Sequence, residues 1–261
     1  MQTIIPLKAL KDNYIWMMLN DKRQALIVDP GEADPVLQFF HEKKDISLSG
    51  ILITHKHGDH CHGVPKIVQQ MPVPVFGPKH QTLDFVTFPM KENAQVKIEG
   101  FETLHVMEIP GHTMEHIAYY NKNTIFCGDT LFTGGCGRIF EGTPLQMFDS
   151  LQKICALPND VLIYCGHEYT LANLEFALKV EPHNKDLLNR FYECQQLRKN
   201  YQPTVPASLQ LEKMTNPFLR CEITTVAESV KHYYHRELTN VIEIFEFCRK
   251  WKNEFVSSFH L

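Results

Sequence analysis

The chain reads as an α/β protein up to about residue 170, followed by a smaller helical segment over 171–261. Three observations support that reading. Strand-length apolar runs stop at a glycine or a Pro-Gly turn. Helical stretches with recognisable starts lie between them. Past Thr170 the apolar positions recur at helical spacing.

In chain order, the first clear helix is expected over Asp34 to Lys44. Leu48-Ser49-Gly50-Ile51-Leu52-Ile53 is apolar enough for a buried strand. Glu102 to Glu108 is a second strand, ended by Ile109-Pro110-Gly111. Thr124-Ile125-Phe126-Cys127 is a third, closed by Gly128. Thr143 can cap a helix over Pro144 to Ala156, and Val161 to Cys165 is a fourth strand. Helices then follow over Leu171 to Val180 and, after the break Glu181-Pro182-His183-Asn184, over Lys185 to Tyr201. Asn240 can cap a last helix with Val241, Ile244, Phe245, Cys248, Trp251 and Phe255 on one face, a stripe suited to packing a helical domain against the rest.

The chemistry concentrates just past the first strand. Thr54-His55-Lys56-His57-Gly58-Asp59-His60 puts three imidazoles and a carboxylate within six residues, all able to bind a borderline metal such as zinc. Ligands at the end of a rigid strand are pre-positioned. The other strands repeat the pattern: His112 follows Gly111, Asp129 follows Gly128, and His167 follows Gly166. His55, His57, Asp59, His60, His112, Asp129 and His167 are too many donors for one tetrahedral ion. Two metals with a bridging carboxylate fit the number better. His62 stands at the start of a following helix and is left out. His183, His232, His235 and His260 are read as structural or surface residues.

The order T-H-x-H-x-D-H, G-H-T, G-D-T and C-G-H-E-Y resembles the metallo-β-lactamase superfamily and, within it, the glyoxalase II (hydroxyacylglutathione hydrolase) family. The resemblance extends to Asp12-Asn13-Tyr14, Ile27-Val28-Asp29-Pro30-Gly31, Asp129-Thr130-Leu131-Phe132 with Gly135-Cys136-Gly137-Arg138, Cys165 to Thr170, and Asn216-Pro217-Phe218, and so covers nearly the whole chain. It implies a four-layer αββα metallo-β-lactamase sandwich over 1–170, the metal-binding catalytic domain, and an all-α substrate-binding domain over 171–261. It also implies two divalent ions, with zinc expected and iron or manganese compatible. His55, His57 and His112 would hold one ion, Asp59, His60 and His167 the other, and Asp129 would bridge, so that Asp59 and Asp129 count as catalytic. A hydroxide shared by the ions would cleave S-2-hydroxyacylglutathione, typically S-D-lactoylglutathione, to glutathione and D-lactate, in methylglyoxal detoxification.

The same resemblance points to Arg138, Tyr169, Arg249 and Lys252 as substrate-binding residues, cations suiting the carboxylate of glutathione. Arg249 and Lys252 are three apart on a helical segment and can face one ligand. Without the resemblance they would read as a solvated helix face. Where the family often has lysine, one residue and tyrosine, this chain has Arg138-Ile139-Phe140, and phenylalanine has no hydroxyl to donate.

Composition excludes other classes. A net charge of −4, from 26 basic and 30 acidic residues with no basic run, argues against nucleic acid as a partner. No stretch approaches the roughly 20 apolar residues of a membrane span, and no signal peptide is visible. Eight scattered cysteines without a C-x-x-C unit suit reduced thiols in a cytoplasm, with Cys127, Cys136 and Cys165 beside the ligand motifs read as packing residues. A monomer acting on a small molecule is expected. Gly134-Gly135-Cys136-Gly137 lacks the ending of a phosphate loop and is read as lining the active site. Two rival functions are a mononuclear iron oxidoreductase of the glutathione-persulfide dioxygenase type and a zinc-stabilised binding module. The helical extension and Asn-Pro-Phe argue against the first. The wealth of His and Asp ligands without paired cysteines argues against the second.

Overall fold

In the computed structural model, which describes residues 2–259, the apolar runs pair into two six-stranded sheets. The first is ordered as in the chain: β1 (Thr3–Ala9), β2 (Asn13–Leu19), β3 (Gln24–Val28), β4 (Ser47–Leu52), β5 (Val75–Pro78) and β6 (Phe88–Met90). Helix α1 (Asp34–Glu42) links β3 to β4, and the short α2 (Gly58–Cys61) and α3 (Val64–Gln70) link β4 to β5. The second sheet takes β7 (Gln95–Val96), β8 (Leu104–Glu108), β9 (Ile117–Tyr120) and β10 (Thr124–Gly128). A hairpin of β11 (Leu131–Phe132) and β12 (Gly135–Cys136) stands apart, and β13 (Leu162–Cys165) and β14 (Ala207–Ser208) complete the sheet beyond β10.

Period-two alternation decides which side chains meet. Along β2, Tyr14, Trp16 and Met18 point into the space between the sheets, where Trp16 meets Tyr164 edge-on at 4.9 Å. Ile15 and Met17 point the other way and pack with Val36 of α1 and Val64 and Ile67 of α3. The inter-sheet core continues through the second sheet to Met147, Leu151 and Ile154 of α4 (Pro144–Cys155). Helices thus cover the sheets on their outer sides, the layered metallo-β-lactamase fold.

Local chemistry sets the helix starts. Thr143 accepts from the Gln146 N–H while the Gln146 side chain accepts from the Thr143 N–H, a full capping box. After β13 come α5 (Thr170–Val180), α6 (Lys185–Lys199), α7 (Leu209–Thr215), a 3₁₀ turn (Pro217–Leu219), α8 (Thr224–Tyr234) and α9 (Val241–Glu254). Asn240 caps α9 by accepting from the Glu243 N–H, and Phe245, Cys248 and Trp251 are buried as the stripe required.

The sequence reading placed no element between Tyr201 and Asn240, yet β14, α7 and α8 lie there. Strand β14 runs antiparallel to β13, Ala207 opposite Ile163, so the helical region supplies an edge strand to the sheet. Two residues are too few for any periodic signal. His62 ends α2 as its C-cap, exposed, rather than opening the next helix. His260 lies outside the described residues. Among the described residues no helix is long and apolar enough to cross a membrane.

Candidate metal centre

The predicted ligands converge because their strands deliver them to one end of the sandwich. β10 and β13 run parallel with Gly128 opposite Cys165, so Asp129 and His167 emerge side by side. The Ile117 N–H donates to Thr54 O across the sheets, which brings the 54–60 loop beside them.

Two donor groups result. His55, His57 and His112 form one: His55 Nε2 lies 3.1 Å from His57 Nδ1, and His112 Nε2 lies 3.0 Å from the same atom. Asp59, His60 and His167 form the other, with the two Nε2 atoms 3.3 Å apart and Asp59 Oδ2 3.3 Å from His167 Nε2. Asp129 spans them. Its Oδ1 is 3.3 Å from His60 Nε2, and its Oδ2 is 3.4 Å from His167 Nε2 and 3.5 Å from His112 Nε2. All seven predicted ligands therefore stand in one cluster.

The far nitrogens fix the tautomers. Carboxylates and carbonyls can only accept, so His60 Nδ1 donates to Asp29 at 3.0 Å, His167 Nδ1 to Asp12 at 2.6 Å and His112 Nδ1 to Arg138 O at 2.7 Å. Thr54 Oγ1 spends its proton on Asp29 at 2.6 Å and so accepts from His55 Nδ1 at 3.0 Å. Each of these four rings therefore turns Nε2 inward, the arrangement typical of metal-bound histidine. The buried Asp129 Oδ1 has no hydrogen-bond partner. A tetrahedron with metal–nitrogen bonds of about 2.0–2.1 Å has edges near 3.3 Å, close to the spacings found. A Cβ on Gly166 would stand 2.4 Å from His60 Cε1 and 2.7 Å from Asp129 Oδ1, so only glycine leaves the cradle open. The residues fit divalent metal.

Electrostatics agree. Burial pushes the protonation of His55 and His112 down, which keeps them neutral and able to coordinate. Burial also opposes charge on His60 and His167, but the Asp129 carboxylate outweighs it, lifting His60 to about 10 and His167 further. Asp129 is held far below the usual carboxylate range by His60 and His167 against its own burial. Without metal, protons must fill this negative cradle.

Three supporting residues were missed in the sequence. Asp29, 4 % exposed, holds His60 and the Thr54 backbone, accepting the Thr54 N–H at 2.7 Å. Asp12 backs His167. His116 stacks on His55 at 4.5 Å and accepts the Asp129 N–H at 3.1 Å. Asp29 and Asp12 sit in segments already singled out, and only an acid in a turn after an apolar run hinted at Asp29. His116, four residues past His112, gave a weak spacing signal.

The centre opens into a cleft of about 460 Å³ that Arg138, Phe140, Tyr169, Arg249 and Lys252 also line. Tyr169 stacks on His167 at 4.6 Å. Arg249 is no solvated face: it is 8 % exposed and donates to Cys136 O at 2.6 Å. Lys252 Nζ donates to Ala172 O at 3.1 Å. Arg138 is exposed, and Phe140 sets its ring edge-on to His57 and His112 at 5.7 and 5.2 Å. A larger cavity of about 610 Å³ lies among the helices, but its buried acid, Glu181, is already paired with Arg220 and Thr225.

Comparison with known proteins bears on the whole chain. The family profile described as "Metallo-beta-lactamase superfamily" matches residues 13–167, and "Hydroxyacylglutathione hydrolase C-terminus" matches 168–255. A hydroxyacylglutathione hydrolase of Nitrosomonas eutropha is 44% identical over 97% of this chain and 98% of that protein. One from Vibrio parahaemolyticus is 44% identical over 98% of this chain and all of that protein. The crystal structure of ETHE1 from Myxococcus xanthus superposes with a TM-score of 0.65 at 20% identity, covering 97% of this chain and 98% of that one, a likeness of fold alone.

Proposed function

Because the chain belongs to the hydroxyacylglutathione hydrolase family of the metallo-beta-lactamase superfamily, we propose that its cleft hydrolyses S-2-hydroxyacylglutathione to glutathione and a 2-hydroxy acid. S-D-lactoylglutathione, giving D-lactate in methylglyoxal detoxification, is the expected substrate. The observation that supports this most is the single cleft in which the His and Asp groups meet Arg249 and Lys252: a reactive end and a carboxylate-binding end within reach of one flexible tripeptide thioester.

We assign residues 1–170 as the catalytic domain and 171–261 as the substrate-binding domain. His55, His57 and His112 would hold one divalent ion, zinc by preference, and Asp59, His60 and His167 a second, with Asp129 between. Bound there, such ions polarise an acyl carbonyl and make water acidic enough to attack it near neutral pH. The helical extension, matched over 168–255 by the hydroxyacylglutathione hydrolase C-terminal profile, favours this over the mononuclear oxidoreductase reading, whose class shares the His and Asp motifs.

The chain's own residues do the rest. Asp59, whose side chain is 40% exposed and whose Oδ2 is steadied by Asn13 Nδ2 at 3.1 Å, is the carboxylate most open to the cleft, suited to orient the attacking water, whose proton passes to solvent. Water adds to the acyl carbon, the C–S bond breaks, and glutathione leaves as a thiolate that needs no strong acid. Arg249, Lys252 and the exposed Arg138 bind glutathione carboxylates, while Tyr169 walls the cleft. Each chain holds a complete site, so a monomer suffices. All eight cysteines are free, seven of them buried, which suits a reducing cytoplasm.

Steady-state hydrolysis of S-D-lactoylglutathione by purified, zinc-loaded protein tests the reading. Rapid cleavage abolished by a chelator is expected. No cleavage by protein carrying both ions would refute it.

A further inference from the structure

The β11–β12 hairpin joins Asp129 to Arg138, and side chains of the helical region hold its backbone. Glu212 on α7 is fully buried, and its Oε2 accepts the Gly134 N–H at 2.8 Å. Asn216 donates to Gly135 O at 2.9 Å, to Phe132 O at 3.2 Å and to Glu212 Oε2 at 3.0 Å. Asn173 on α5 donates to Thr133 O at 3.2 Å, and Arg249 on α9 takes Cys136 O. Four of the five carbonyls from Phe132 to Cys136 thus end on helical-region side chains. Glu212 is anchored in turn by Arg190 on α6, which also donates to Thr215 Oγ1 at 2.6 Å.

This hairpin reaches the metal centre at both ends. Where it returns, a Cβ on Gly137 would lie 1.8 Å from Asp129 O, so the glycine lets the strand press on that residue. The Gly137 N–H donates to Thr130 O at 3.1 Å, and the next carbonyl, Arg138 O, is the one that orients His112. A shift of the hairpin must therefore move both the carboxylate that spans the two donor groups and the ring of a third histidine.

We propose that Glu212, with Asn216, is a positioning residue for the metal centre, fixing Asp129 and His112 through the hairpin. This rests on the metal-centre reading above. Replacing a buried ion pair by apolar side chains often costs no stability, so the charge pairing of Arg190 and Glu212 is weak ground for having them there. The second oxygen of Glu212 supplies firmer ground: it is the acceptor for the Gly134 N–H.

The test is zinc affinity, measured on the full chain by competition with a chromophoric chelator. The double variant Arg190→Met/Glu212→Met removes the acceptor without stranding a charge. It should stay folded, with an unfolding midpoint lowered by the stranded Gly134 N–H, and bind zinc about tenfold more weakly, as loss of a ligand-orienting partner typically does. Asn216→Ala, which leaves the ion pair intact, should show the same weakening and decides the matter should the double variant not fold. Lys22→Met/Glu99→Met, an exposed ion pair beside the turn between β2 and β3 and outside the hairpin's hydrogen-bond network, should leave zinc binding unchanged. Parent-like zinc affinity in the first two variants, or equal weakening in the third, overturns the proposal. Because the readout is affinity, failure of the parent to cleave the thioester would sink the functional reading and leave this one standing.

Discussion

Lys252 should cost stability and supply binding, and replacing it separates the two. Burial, with Arg249 beside it, holds its ammonium down to about 8 from an ordinary 10.5. That difference corresponds to about 3 kcal/mol of penalty for folding with the charge in place, and the open side of the cleft reduces it to ~1–2 kcal/mol. Lys252→Met keeps a stem against Phe176 and Phe255 and removes the charge. At pH 7 the variant should be more stable by ~1–2 kcal/mol in denaturant titration. Its KM for S-D-lactoylglutathione should rise about tenfold with kcat nearly unchanged, the pattern of a contact remote from the bond broken. The penalty is complete below pH 8. Between pH 8 and 10.5 the unfolded chain keeps a proton that the folded chain has released, so the parent gains stability with rising pH and the advantage of the variant fades. KM of the parent should climb through pH 8, whereas Lys252→Arg, charged throughout, should stay flat. A Lys252→Met protein that is less stable at pH 7, or binds substrate as well as the parent, would refute the reasoning.

Four further outcomes follow from the centre. Gly166→Ala pushes a methyl against His60 and Asp129, so metal analysis after dialysis should find the folded variant depleted of zinc. Asp12→Ala removes the partner of His167 Nδ1 and should weaken zinc binding by roughly 10–100-fold in chelator competition. His57→Ala and Asp129→Ala should each cut turnover by orders of magnitude, and retained turnover in either would sink the two-ion assignment. Zinc binding should release protons, because His60, lifted to about 10, holds one at pH 7 in the metal-free chain. Affinity that fails to strengthen from pH 7 to 9 would contradict this.

What was legible in the sequence and what was not divides on a physical line. A metal needs several donors of few residue types at the ends of rigid strands, and T-H-x-H-x-D-H supplies four of them locally. The partners that orient those donors have no such signature. Asp12 meets His167 across 155 positions and Glu212 meets Gly134 across 78, contacts that exist only once the sheets and helices have closed. A lone acid on α7 looks like any solvated helix residue until its burial is known. Strand β14 escaped for a related reason: two residues carry no period, and its pairing with β13 is set by the fold.

The helical region is therefore part of the site rather than a cover for it. Arg249 shows why this matters for binding. Its two terminal nitrogens each give one N–H, to Cys136 O and Asn253 Oδ1, its Cζ lies 5.1 Å from the centre of the Phe218 ring, and its buried Nε–H has no partner. An unpaired buried donor costs about 1–3 kcal/mol. What the side chain has left for an acceptor entering the cleft, such as a carboxylate of glutathione, is the second N–H of each terminal nitrogen. The same side chain that holds the hairpin at Cys136 would then draw in the substrate, which ties the geometry of Asp129 to occupancy at the far end of the cleft.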